Sequence, residues 1–253
     1  MNDRGLPILM YHSLDESGSV ISTAPSRFEQ TMARLGDAGL RAIDLVDWIA
    51  AGRPAVRHAF AITFDDGFEN VLLAADVLAR FNWTATVFLV SQFIGGENGW
   101  EIDSKSIPHF PLLSTRQIAT LKQAGYRFGA HTRTHRRLDR LDESSLVDEL
   151  VGSRDTVEQA TGEPCRLFAY PYGIVTERAS RIARAAFDAS FGTTLARCET
   201  ACRLHDLPRI DAFYFRNNKM IDRWMIRSSD YSMTIRRHLR TFRRGVDATT
   251  RVS

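Results

Sequence analysis

Seven short apolar runs, separated by longer amphipathic segments, constrain the fold of this 253-residue chain most strongly. The runs have the length and apolar character of buried strands, at residues 6–10, 60–64, 85–90, 126–130, 167–170, 189–193 and 207–210. The intervening segments repeat apolar residues at helical spacing, at residues 27–38, 68–80, 115–124, 143–161 and 176–186. Repeated strand–helix order favours a mostly parallel sheet with helices outside it, either a barrel or a doubly wound sheet.

The composition favours one folded domain. Apolar residues make up 44% of the chain and charged residues 25%, which is typical of globular proteins and unlike disordered ones. We find no run of about eighteen apolar residues that would predict a membrane span, and no signal-peptide pattern follows Met1. We therefore expect a cytoplasmic protein.

Positive charge is concentrated at the C-terminal end. Residues 216–253 contain ten Lys or Arg and three Asp, a balance of +7, although the whole chain carries +3. We predict a folded domain over residues 1–215 and a basic extension over residues 216–253. Such a tail is either solvated or in peripheral contact with anionic lipid at the inner face of the membrane. We do not expect nucleic acid as a partner.

Acidic and imidazole side chains follow two of the predicted strands. Asp65 and Asp66 come directly after the second strand, and His131 and His135 come after the fourth. One Asp and two His can bind a divalent metal and leave coordination positions open, whether the His motif begins a helix or forms a loop. Because adjacent buried carboxylates repel each other, a cation on Asp66 would keep Asp65 ionised as a general base. The pattern predicts a metal-assisted hydrolase.

A turn containing Pro and Gly follows the fifth predicted strand. Pro171 fixes the turn, and Gly173 allows the backbone to expose an amide. The N–H of Tyr172 is then placed to bind a developing oxyanion, a kind of donor whose removal costs roughly 3 kcal/mol. We also assign Tyr170 and Pro171 to substrate binding.

One long connection, residues 91–113, lacks a predicted element of secondary structure. Long loops in compact domains are usually functional or disordered. This one contains Trp100, whose ring suits stacking against a sugar or, equally, anchoring the loop to the body of the protein. We assign Trp100 to substrate binding.

Three motifs together resemble the polysaccharide deacetylase family, the NodB-homology hydrolases of carbohydrate esterase family 4. They are residues 63–67 (TFDDG), 131–135 (HTRTH) and 170–173 (YPYG). The resemblance covers roughly residues 6–212 and implies a single-domain, distorted (β/α) barrel of about seven parallel strands. It also implies a catalytic Zn²⁺, or another divalent ion such as Co²⁺ or Ni²⁺, and hydrolysis of N-acetyl groups on an amino-sugar glycan.

The same resemblance assigns roles to individual residues. Asp66, His131 and His135 bind the metal. Asp65 activates the attacking water. The amide of Tyr172 helps the metal to hold the tetrahedral oxyanion.

The general acid points to one branch of the family. Residues 10–13 (MYHS) resemble the N-terminal Tyr-His of the poly-N-acetylglucosamine deacetylases, in which this His serves as the acid. We therefore predict His12 as the acid, with His205 as the alternative. Many relatives carry an Arg near the proline motif to orient the base, and this chain does not. We predict that Arg209 approaches Asp65 from another strand and takes that role.

The sequence thus predicts a metal-dependent N-deacetylase acting on a polysaccharide, an oligosaccharide or a lipid-linked precursor. One alternative is an amidohydrolase that uses the same barrel on a non-sugar C–N substrate. The other is a non-catalytic carbohydrate-binding relative. The intact Asp and two His disfavour both alternatives.

Overall fold

The protein is built on parallel strands that curl into a barrel-like sheet. The structure is a computed structural model and describes residues 5–100, 107–215 and 218–226. Its strands are β1 (Ile8–Tyr11), β2 (Ser13–Leu14), β3 (Ser22–Thr23), β4 (Arg41–Ala42), β5 (Ala59–Phe64), β6 (Thr86–Leu89), β7 (Arg127–Ala130), β8 (Leu167–Ala169), β9 (Ala189–Phe191) and β10 (Ile210–Asp211). All seven predicted strands are present, because apolar runs between helices satisfy their backbone groups within a buried sheet.

The strand order explains the curl. The main sheet runs β10–β1–β5–β6–β7–β8–β9 with every pair parallel, and β4 pairs with the start of β5. Leu207, just before β10, also forms a parallel bridge with Phe191 of β9. The last segment therefore contacts both β1 and β9. From β1 to β9, neighbouring long strands follow one another in chain order, and this order never reverses. The sheet is therefore a distorted (β/α) barrel, as predicted, and not a doubly wound sheet.

The helices lie where the amphipathic segments predicted them, with two additions. They are α1 (Pro25–Asp37), α2 (Leu45–Ala50), α3 (Leu72–Ala79), α4 (Thr115–Gln123), α5 (Glu143–Val147), α6 (Ser153–Thr161), α7 (Glu177–Ala186) and α8 (Asn218–Ile221). A capping box begins α4, since the side chains of Ser114 and Gln117 each accept the backbone N–H of the other residue. The unpredicted α2 has only six residues and is capped by Asp44, so it is too short to show a periodic pattern.

Two apolar clusters pack against the two faces of the sheet. Leu9 and Tyr11 of β1 belong to the cluster that includes Phe28 of α1, whereas Ile8 belongs to the cluster inside the curl. This division follows from the alternation of side chains along a strand. Helices thus cover the outer face, and the inner face forms a packed core beneath the carboxyl edge of the strands.

Packing continues past residue 215. Trp224 is buried against Phe215, and Asp222 forms a bidentate ion pair with Arg34 of α1. The predicted division at residue 215 stays a prediction, and most of the basic extension, residues 227–253, lies outside the described residues. Among the described residues, no helix combines the length and apolar character needed to cross a bilayer.

Candidate metal centre

The residues predicted to be catalytic converge on one edge of the sheet. Asp65 and Asp66 follow β5, His131 follows β7, and Pro171 begins the turn after β8. His12 follows β1, which pairs with β5. Parallel strands present their carboxyl ends at the same edge, so positions that are distant in sequence meet there.

Asp66, His131 and His135 form a compact group of possible metal ligands. Oδ1 of Asp66 lies 3.4 Å from Nε2 of His131 and 3.3 Å from Nε2 of His135. Ligand atoms from the three buried residues all lie within 4.8 Å of one another. Within the described part of the chain, no hydrogen bond of good geometry reaches this buried Oδ1. A divalent cation among the three atoms would supply the missing partner, so the donor set fits such an ion.

The ligands are carried on strained backbone. Asp66, Thr132 and His135 have φ values of +71°, +66° and +60°, in the left-handed region that residues other than glycine rarely adopt. The N–H of His135 donates to Oγ1 of Thr132 at 3.0 Å. Residues 131–135 are therefore a loop and not the start of a helix. Strain of this kind is concentrated at functional sites.

Hydrogen bonds at the outer nitrogens orient both imidazole rings. Nδ1 of His131 lies 2.8 Å from the carbonyl oxygen of Ala169, to which it donates, so Nε2 keeps its electron pair toward Asp66. Nδ1 of His135 lies 3.2 Å from the hydroxyl of Tyr172. The rings of His135 and Tyr172 also pack edge to face, 4.7 Å apart. Contacts with the protein itself therefore orient both imidazole rings.

Burial and mutual charge shift the pKa values of the three ligands. Burial raises the pKa of Asp66, but the nearby His131 and His135 outweigh it and hold this pKa well below its usual range. Burial lowers the pKa of His131, but the carboxylates of Asp66 and Asp65 raise it more. Burial prevails at His135 and lowers its pKa. The site therefore offers an ionised carboxylate to a cation.

Asp65 is held by a buried, bidentate ion pair with Arg209. Nη1 of Arg209 lies 2.6 Å from Oδ1 of Asp65, and Nη2 lies 2.7 Å from Oδ2. The guanidinium carbon lies 5.6 Å from the ring centre of Phe88 and 6.0 Å from that of Phe191. Burial raises the pKa of Asp65, whereas Arg209 lowers it, and the net shift is downward. The predicted approach of Arg209 from another strand is confirmed as a contact.

The two predicted acids occupy different places. The half-buried His12 follows β1 and so lies at the same edge as the residues that follow β5. Burial raises the pKa of Asp66, and the charge of His12 is among those that lower it. His205 instead lies beside Ser190, its Nδ1 3.3 Å from the hydroxyl. Burial lowers the pKa of His205, and the charges that also act on it are those of Arg184 and Asp188. Since Asp188 precedes β9, His205 lies toward the far end of the strands and does not suit a proton donor at the metal centre.

The turn after β8 separates exposed from buried residues. Tyr172 is 40% exposed, so its ring is placed to line an approach to the site. Tyr170 is fully buried, its hydroxyl donating to the carbonyl oxygen of His205, and Pro171 is buried as well. Burial leaves Tyr170 no surface and Pro171 little surface for direct contact with a substrate, and their assignment to substrate binding stays a prediction.

Trp100 anchors its loop. The ring is buried, 5.3 Å from the ring centre of Phe93 and 4.9 Å from that of His135. Of the two interpretations of this residue, the structure favours the anchor over the sugar platform. Its packing on His135 places it next to the metal ligands but leaves little of its face for a sugar.

Glu149 was not among the residues predicted from the sequence. This carboxylate is 4% exposed and accepts hydrogen bonds from the loop that carries the two His ligands. A signal was present, since Glu149 falls three residues after Leu146 on the apolar face of the segment predicted as a helix. An acidic residue at such a position needs a buried partner.

Comparisons with known proteins agree with this arrangement. A family model described as Polysaccharide deacetylase matches residues 52–187. The Bacillus subtilis (strain 168) protein YxkH, provisionally named a polysaccharide deacetylase, is 27% identical over 182 residues. These residues are 70% of this chain and 60% of YxkH, so the chain spans less than two thirds of that relative.

Two solved structures share the fold. BC0361, a polysaccharide deacetylase from Bacillus cereus, has a TM-score of 0.70 and 24% identity, covering 82% of this chain and 65% of its own. The deacetylase PplD from Streptococcus pyogenes, in complex with acetate, has a TM-score of 0.70 and 22% identity, covering 82% and 92%. Because the family model spans more than half of the sequence, this chain belongs to the polysaccharide deacetylase family.

Proposed function

We propose that this protein is a metal-dependent hydrolase that removes N-acetyl groups from an amino-sugar glycan. The observation that carries the proposal is the Asp66–His131–His135 group beside the Asp65–Arg209 ion pair. Family membership supports the class of reaction. The structure of PplD in complex with acetate, the acid that such a reaction releases, is consistent with it.

In this mechanism some residues hold the metal and others activate the attacking water. Asp66, His131 and His135 would hold the cation, which supplies Lewis acidity and lowers the pKa of water. Asp65 accepts a proton from the attacking water, and Arg209 keeps that carboxylate ionised and oriented. A lowered pKa makes Asp65 a weak base, so the mechanism needs a water that is itself unusually acidic.

Two further groups complete the hydrolysis. The amide N–H of Tyr172 donates to the oxyanion that forms when water adds to the acetyl carbonyl. His12 donates a proton to the sugar nitrogen as the C–N bond breaks, giving acetate and a free amine. The position of His12 after β1, at the edge that carries Asp65 and Asp66, supports this assignment over His205, as does the resemblance to the poly-N-acetylglucosamine deacetylases.

The metal, the form of the substrate and the place of action are also part of what we propose. We favour Zn²⁺, with Co²⁺ or Ni²⁺ as functional substitutes, because two imidazoles and one carboxylate suit borderline ions. The substrate is a polysaccharide, an oligosaccharide or a lipid-linked glycan precursor. We also propose action at the cytoplasmic face, with the basic extension over residues 216–253 in peripheral contact with anionic lipid.

Acetate release from N-acetylglucosamine oligomers tests the reaction. Wild-type protein is stripped of metal, reloaded with Zn²⁺ or Co²⁺, and compared with Asp65→Asn and with Asp155→Asn, which alters an exposed carboxylate. We expect metal-dependent release that falls about 10²-fold to 10⁴-fold in Asp65→Asn and is unchanged in Asp155→Asn. Metal binding without acetate release would redirect the proposal to a non-sugar amide, and absence of metal binding would overturn it.

A further inference from the structure

We infer that Glu149 is a positioning residue of the metal centre, acting through the loop that carries both His ligands. Its carboxylate would set the backbone of residues 131–135 so that the two imidazoles converge on Asp66. The inference rests on the proposed function only in taking Asp66, His131 and His135 as a metal site.

Glu149 makes three hydrogen bonds to the middle of this loop. Its Oε2 accepts the backbone N–H groups of Arg133 and Thr134, both at 2.9 Å. Its Oε1 accepts the hydroxyl of Thr134. Both oxygens of a buried carboxylate are thus committed to two consecutive residues that lie between the ligands.

The conformation of the loop depends on hydrogen bonds from residues outside it. Thr132 and His135 both adopt positive φ, which an isolated loop would not keep. On one side, the N–H groups of Ser91 and Gln92 donate to the carbonyl oxygens of Thr132 and Arg133 at 3.1 Å and 3.0 Å. Glu149 accepts the N–H groups, so the peptide units between the ligands are held through both donors and acceptors.

The helix geometry at Glu149 supports the same reading. Glu149 lies in the π-helical turn Asp148–Gly152, where both it and Leu150 are buried. Such turns are rare overall but frequent at functional sites. The side chain of Arg133 does not pair with Glu149 but with the exposed Asp148, at 2.7 Å. The negative charge of Glu149 is therefore directed at the loop backbone, in charge-assisted hydrogen bonds.

Metal affinity tests the inference independently of catalysis. Glu149→Gln keeps the shape of the side chain but removes its negative charge and replaces one acceptor oxygen by an NH₂ group that can only donate. We expect the dissociation constants for Zn²⁺ and Co²⁺, measured by chelator competition, to rise about 10-fold to 100-fold, and the absorption bands of bound Co²⁺ to change. Asp148→Asn, in the same turn, is the matched control and should leave both readouts unchanged.

The unfolding free energy of the metal-free protein separates positioning from general stability. A Glu149→Gln protein that is less stable but binds Co²⁺ with wild-type affinity and spectrum would overturn the inference. If Glu149→Gln does not fold, Thr134→Val removes the hydroxyl donor alone, and its unchanged Co²⁺ affinity would likewise overturn it. Failure of the wild-type protein to bind either metal would instead overturn the proposed function.

Discussion

Replacement of Arg209 by Met should destabilise the protein, and more strongly at neutral than at acidic pH. Arg209 is fully buried and pairs with both oxygens of Asp65 at 2.6 Å and 2.7 Å. It also donates to the carbonyl oxygen of Gly192 and to Oγ1 of Thr63. Met retains most of the apolar contact with the aromatic rings nearby, so the main loss is the charge and its hydrogen bonds.

The magnitude follows from leaving a buried carboxylate unpaired. Breaking a buried ion pair by removing one partner costs about 3–5 kcal/mol. In the wild-type protein, burial raises the pKa of Asp65, but Arg209 holds it below its ordinary value of 3.8. The pair therefore stabilises the folded state at neutral pH, and this contribution is lost as the pH falls through the lowered pKa. In Arg209→Met, burial acts without that opposition, and the pKa of Asp65 rises.

The variant should therefore recover stability relative to wild type as the pH falls toward 3.8, because folded Asp65 then takes up a proton. Urea denaturation between about pH 4.5 and 8, with the metal content fixed, measures this difference. Arg34→Met is the control, since it also breaks a bidentate ion pair, the one with Asp222. The side chain of Arg34 is 41% exposed, so water replaces the lost hydrogen bonds. A deficit that is equal for both variants, or independent of pH, would refute the argument that Asp65 is an ionised buried group held by Arg209.

Three further predictions concern the metal edge. Tyr172→Phe removes the hydroxyl 3.2 Å from Nδ1 of His135, so we expect about tenfold weaker Zn²⁺ binding by chelator competition, with little change in melting temperature because Tyr172 is 40% exposed. Burial lowers the pKa of His131, but Asp66 raises it more, so protons should compete with Zn²⁺ for this side chain at a higher pH than for an ordinary His. Titration calorimetry below that pKa should show the affinity for Zn²⁺ falling about tenfold per pH unit. Gly173 has φ of +63°, and a Cβ added there would lie 2.0 Å from Oγ1 of Thr193. Urea denaturation of Gly173→Ala should therefore show that the free energy of unfolding falls by about 2–4 kcal/mol. Gly162→Ala, at a similar φ but without the clash, should lose much less.

The strands and the convergence of the acids were predictable because they depend on local pattern. A six-residue apolar run such as β5 (Ala59–Phe64) suits a buried strand better than a helix, and the polar residues that end it then lie at the sheet edge. The contact between Arg209 and Asp65 was predictable for another reason. The family resemblance calls for an arginine that orients the base, and a buried carboxylate requires such a cation.

Other features depend on which way a side chain turns, and the sequence carries little information about that. Tyr170 and Tyr172 belong to the same motif, yet one is buried and the other is 40% exposed, because Tyr172 adopts φ of +58°. Trp100 could have faced a sugar, and only the packing of Phe93 and His135 around it decides otherwise. Contacts between residues that are distant in the sequence determine such orientations.

The strain at the metal edge indicates how the site is kept ready for a cation. Asp66, Thr132, His135 and Tyr172 all have positive φ although none is glycine. Each position is fixed or flanked by contacts from other strands and helices, including the carbonyl of Ala169 and the carboxylate of Glu149. These contacts come from the fold itself, so they lower the cost of ordering the loop around a cation. Most of the intrinsic affinity of the ligands is then available for the ion, which is the energetic advantage of a preorganised site.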